Sequence, residues 1–96
     1  MNIQKSDIVR ATAGRDMGKY FFVTDIDETY ALIADGMSRK LEKPKRKKLK
    51  HLLLASHTDD LRTAEKIRSG DRVSNSELRR ALADFAARPD GEQGGM

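Results

Sequence analysis

The sequence predicts a mainly β domain with a C-terminal helical end. A small antiparallel barrel is expected over residues 1–56, one or two short helices over 57–87, and a disordered tail over 88–96. Three observations predict this. Short apolar runs rich in aromatic and β-branched residues recur through the first half, closed by turn signals such as Asp35-Gly36. The apolar period then changes to three, in Leu61, Ala64 and Ile67. Ser74 and Glu77 stand at capping-box spacing ahead of Leu78, Leu82 and Phe85.

Residues 1–6 read as a loose lead-in with Ile3 as an edge contact. Residues 7–13 form a first strand, with Ile8 and Val9 on opposite faces. Gly14 and Gly18 bracket a tight loop, because glycine accepts the positive φ that such a turn needs. Residues 20–26 are the clearest strand. Strict alternation places Tyr20, Phe22, Thr24 and Ile26 on one side, and Phe21, Val23 and Asp25 on the other. Asp27, Glu28 and Thr29 make a polar turn into a third strand, 30–34. Residues 37–41 are expected as a short fourth strand with Leu41 inward. Pro44 breaks regular structure inside a basic loop, 39–50, and 49–55 resumes as the fifth strand.

The second half is read from its caps. Thr58 would cap a helix over 58–69, with Asp59 and Asp60 in its first turn and Gly70 as its stop. Val73 is placed to staple onto Leu78, and Pro89 and Gly91 end the last helix. A barrel this short buries a marginal core. The last helix is therefore expected to cover an open side of it with Leu82 and Phe85.

Composition narrows the function. Ninety-six residues favour one domain. With 38% hydrophobic and 35% charged residues, the chain fits a soluble domain with a charged surface. The absence of cysteine excludes disulfides and thiolate metal sites. His51 and His57 lack metal-ligand spacing, so no metal and no cofactor is expected. The N-terminus has no apolar signal core, and the longest clean apolar run, 52–55, is too short to span a bilayer. A cytoplasmic protein with no membrane role and no small-molecule substrate is the expectation.

The net charge of +4 is unevenly placed. Residues 39–50 hold eight bases, Arg39, Lys40, Lys43, Lys45, Arg46, Lys47, Lys48 and Lys50, against the single acid Glu42. A plain solvated loop would explain solubility. So many like charges in a dozen residues repel one another, however, unless a polyanion neutralises them. Phosphate binding is the better reading. Arg15, Gly18 and Lys19 on the glycine loop are a second candidate set for RNA contact. Tyr20 beside that loop is the candidate for base stacking. The run Asp25, Asp27 and Thr29 after an apolar strand also resembles the nucleophile motif of haloacid-dehalogenase-type phosphatases. That motif sits atop a parallel sheet, whereas here the next strand begins too soon for a crossover. No enzyme is expected.

Residues 7–26 resemble a KOW motif, the strand–loop–strand element of many ribosomal proteins and of a transcription factor. Val9, Gly14, Gly18, Lys19 and Val23 carry the likeness, while Phe21 stands where a common KOW pattern has a further glycine. The succession of Asp25 and Asp27, residues 30–36, the basic cluster Lys45 to Lys48, His51-Leu52 and the helix 75–82 extends it over roughly residues 5–87. In that order the chain is similar to the large-subunit ribosomal KOW proteins of archaea and eukaryotes and their short bacterial relatives. The resemblance implies an SH3-like barrel that binds ribosomal RNA, beside neighbouring ribosomal proteins. Two other classes stay open: an SH3-like protein-interaction module, and a DNA-binding or transcription-associated KOW protein.

Overall fold

The structure, a computed structural model, describes residues 3–58 and 61–87. Its elements are β1 (Ile8–Ala11), β2 (Tyr20–Ile26), β3 (Tyr30–Ala34), β4 (Lys45–Lys48), β5 (Leu52–Ser56), α1 (Arg62–Ser69) and α2 (Asn75–Ala86). A 3-10 turn, Leu49–His51, joins β4 to β5. The sheet order is β4-β3-β2-β1-β5, and every neighbouring pair is antiparallel. A small barrel-like sheet followed by two helices is the architecture that the sequence predicts.

Strand alternation divides the apolar residues into two layers. On the face away from the helices, Val9, Ala11, Phe21, Val23, Ala31, Ile33 and Leu52 form one buried cluster. On the other face, Ile8, Phe22 and Ala34 meet Ala64 and Ile67 of α1 and Leu78 and Leu82 of α2. Phe85 packs against that second layer, so α2 covers the sheet as expected. The ladder is irregular in two places, one being the β1–β5 pair between Ile8 and Val9. In the other, the β2–β3 register shifts between Val23 and Asp25, a bulge that carries Ile26 into the first layer. Beyond it, Asp25 lies in one cross-strand row with Leu32 and Arg46.

Several expected boundaries move, each for a visible reason. Residues 3–6 of the lead-in are held: the Ser6 N–H donates to the Val23 carbonyl at 2.7 Å, and Ile3 packs against the first layer. Residues 37–41 are not a strand. Asp35 Oδ1 accepts the N–H groups of Met37 at 2.9 Å and Arg39 at 2.8 Å, which folds the segment into a turn. The fourth strand starts after Pro44 and consists of the basic residues themselves, paired to β3 from Lys45 opposite Ile33 to Lys48 opposite Tyr30. A Pro at the entry of an edge strand removes no ladder bond, so it bounds the strand instead of breaking it. The fifth strand begins at Leu52, after the 3-10 turn.

The helices follow local chemistry more closely. Leu61 is the N-cap of α1 and supplies no side-chain cap. Thr58 is not the cap: its hydroxyl donates to the Ser6 carbonyl at 2.5 Å. Asp59, Asp60 and the expected tail 88–96 lie outside the described residues. Gly70 ends α1 in the left-handed conformation. At α2 the capping box forms, with Ser74 Oγ accepting the Glu77 N–H and Glu77 accepting the Ser74 N–H. The Lys66 ammonium, 2.6 Å from Glu77 Oε2, and the Ser74 N–H hold the Glu77 carboxyl below its ordinary range. No described helix is long and apolar enough to cross a membrane.

Candidate nucleic-acid interface

The basic stretch is presented by an edge strand. Among the described residues β4 pairs only with β3, so it is an edge strand of the sheet, with lysines along it. Charge on such an edge keeps it from pairing with another chain. Cross-strand register divides its four cations. Lys45 and Lys47 face the side of Ile33 and Ala31, and Arg46 and Lys48 face the side of Leu32 and Tyr30.

The turn segment before β4 is fastened by α2. The Leu41 N–H donates to Asn75 Oδ1 at 2.8 Å, and Asn75 Nδ2 donates to Glu42 at 2.9 Å. Arg79 donates to the Gly36 carbonyl at 3.1 Å. This segment and the start of β4 enclose an open groove of about 540 Å³ that gathers Arg39, Lys40, Lys43, Lys45 and Arg46. Lys50 lies elsewhere, beside Ile3, Leu52 and Leu53, and Lys48 does not line the groove.

Two contacts bring the glycine loop to this surface. Arg39 forms a salt bridge with buried Asp16 at 2.8 Å, its Nε donating to the same oxygen at 3.1 Å. Lys47 Nζ donates to the Ala13 carbonyl at 2.9 Å. The loop thus sits against β4, with Arg15 and Lys19 exposed on it. Three of its amides are committed. Those of Met17, Gly18 and Lys19 donate to the carbonyls of Gly14, Ala11 and Asp16. Gly18, with φ 89°, therefore shapes the loop, and its N–H is not offered to a phosphate.

The predicted site residues now divide by what they touch. Arg39 ties two loops together and Lys47 serves a carbonyl. Arg46 stacks on Tyr30, its guanidinium carbon 3.5 Å from the ring centre. Lys40, Lys43, Lys45, Lys48, Lys50, Arg15 and Lys19 are exposed and form no salt bridge among the described residues. Tyr20 packs edge-on against Phe85, with ring centroids 5.3 Å apart. That contact makes it part of the sheet–helix layer, where the sequence offered it as a stacking platform.

The Arg46–Tyr30 stack and the Asp16–Arg39 pair escape sequence reading, since both depend on the β4 register and on a fold-back of the preceding turn. A fourth strand made of four bases runs against ordinary β-propensity, so no local signal indicates it. Removing Arg39 would leave Asp16 buried without a partner. Arg39→Gln is expected to destabilise the fold by about 1–3 kcal/mol, because the arginine itself is partly exposed. Urea denaturation reads this, and the salt dependence of any RNA binding should stay nearly unchanged.

No protein-family model matches the chain, and no curated protein matches it significantly.

Proposed function

We propose that this protein is a non-enzymatic RNA-binding module that docks on folded ribosomal RNA. One observation carries the reading. Seven exposed cations without salt-bridge partners among the described residues lie on the 39–50 stretch and on the glycine loop, and Lys47 and Arg39 pin that loop beside β4. Unneutralised lysines on a rigid strand and two fastened loops suit the sugar-phosphate backbone, which positions a protein without reading sequence. The KOW-like order of motifs extends the reading to the large ribosomal subunit, in the cytoplasm.

The test is a salt series against structured rRNA fragments. Binding through about six phosphate contacts loses roughly 10³-fold in affinity between low and moderate salt. Affinity that stays flat with salt removes the reading. Sucrose-gradient fractionation at low ionic strength, with the protein absent from every ribosomal fraction, would remove its ribosomal part.

A further inference from the structure

We infer that the hollow between β2, β3 and β4 is a seat for one unpaired guanine of the bound RNA. This rests on the RNA-binding reading and adds a base-specific contact to it. The hollow has a volume of about 190 Å³ and is lined by Asp25, Ile26, Asp27, Tyr30, Leu32 and Arg46. It is smaller than a pocket for a drug-sized ligand and on the scale of a single base.

Its stacking element is ready-made. The Arg46 guanidinium lies over the Tyr30 ring at 3.5 Å, and Arg46 is exposed. Unpaired RNA bases stack on arginine planes of this kind. Its acceptors are ready-made as well. Asp27 Oδ1 accepts the Thr29 and Tyr30 N–H groups at 2.8 Å each, and Asp25 Oδ1 accepts the Ile26 N–H at 2.9 Å. The second oxygen of each carboxylate carries no hydrogen bond among the described residues. The Tyr30 and Thr29 amides, with further help from Arg46, hold the Asp27 carboxyl below its ordinary range, so it stands ionised.

Arg46 offsets part of the negative charge in this hollow, and the remaining oxygen of each carboxylate is left for donors that a ligand brings. Guanine is the RNA base whose Watson–Crick edge presents two adjacent donors, N1–H and the N2 amino group. Adenine and cytosine set one amino group beside a ring nitrogen acceptor, and uracil sets one N–H between two carbonyls. Two carboxylates that line one hollow, each with a free oxygen, suit guanine best among the four bases, and the Arg46 plane is the surface it would stack on.

The experiment compares three short single-stranded RNAs by fluorescence anisotropy at one salt concentration: oligouridine, and the same chain with one central guanosine or one central inosine. The guanosine chain should bind about 10-fold tighter than oligouridine, the range of a good base contact, and inosine, which lacks the N2 amino group, should lose most of that gain. The double variant Asp25→Asn, Asp27→Asn should abolish the preference while oligouridine affinity is kept or rises, since two negative charges are removed from beside the phosphate surface. On the unaltered protein, the Thr29 and Tyr30 amide resonances should shift with the guanosine chain and not with oligouridine, a readout independent of how the variant folds. Equal affinities for guanosine and uridine chains overturn the seat, as does a preference that survives in the double variant. If oligouridine binds with salt dependence and guanosine adds nothing, the seat falls and the phosphate surface stands. If neither short RNA binds, the seat falls, and the salt series against structured rRNA decides the phosphate surface separately.

Discussion

Gly36→Ala is expected to cost about 3–5 kcal/mol of stability. Two effects combine. Gly36 holds φ at 77°, where an L-residue is strained by about 1–2 kcal/mol. A Cβ there would also stand 2.1 Å from the Asn75 carbonyl oxygen and 2.9 Å from its carbon. Both atoms are backbone at the first residue of α2, so relief requires the helix end to move. That end holds Leu41 and Glu42 through the Asn75 side chain. Thermal unfolding should show a fall of roughly 15 °C or more for a domain of this size. Gly18→Ala is the control. Its φ of 89° carries the same strain, but nothing lies within 4 Å of an added Cβ, so about 1–2 kcal/mol is expected. Equal losses in the two variants would mean that α2 yields without resistance.

The second large effect concerns binding. Replacing Lys40, Lys43, Lys45, Lys48 and Lys50 together by glutamine should lower affinity for structured rRNA by roughly two to three orders of magnitude. The slope of log affinity against log salt should flatten by about five, near one unit for each lost phosphate contact. The five are chosen because their side chains make no hydrogen bond or salt bridge among the described residues. Lys47 and Arg39 are retained because they fasten the glycine loop. Circular dichroism and the unfolding midpoint should therefore hardly change. Unchanged RNA affinity in the folded variant would mean that these charges serve solubility alone, and a protein-interaction module would be the better account.

The elements legible from sequence were those whose signals are local. β2 spans the residues expected for it, as does β3, because aromatic and β-branched runs closed by polar turns have few alternatives. The capping box and the Gly70 stop appear where their residues stand. The position of β4 departs from the sequence pattern for a specific reason. Residues 37–41 contain two apolar side chains and 45–48 none, so pattern favoured the wrong segment. The Asp35 side chain, by taking the amides of Met37 and Arg39, removed the donors that a strand there would have needed. The basic run then paired with β3, where Lys47 reaches the Ala13 carbonyl. The Val23–Asp25 bulge was invisible for a related reason: alternation is a property of an unbroken ladder, and nothing in the residues marks the break.

For the candidate site, the sequence by itself determined which residues carry the charge and that they are concentrated, because charge is a property of each side chain. Only the tertiary structure decided which of those charges are partnered. Arg39 meets an acid 23 positions away, Lys47 meets a carbonyl 34 positions away, and Leu41 is held from Asn75 across the same separation. Such pairings depend on how the sheet curls and where α2 lands. These follow from burying two apolar layers at once, a global requirement that no short stretch of chain encodes.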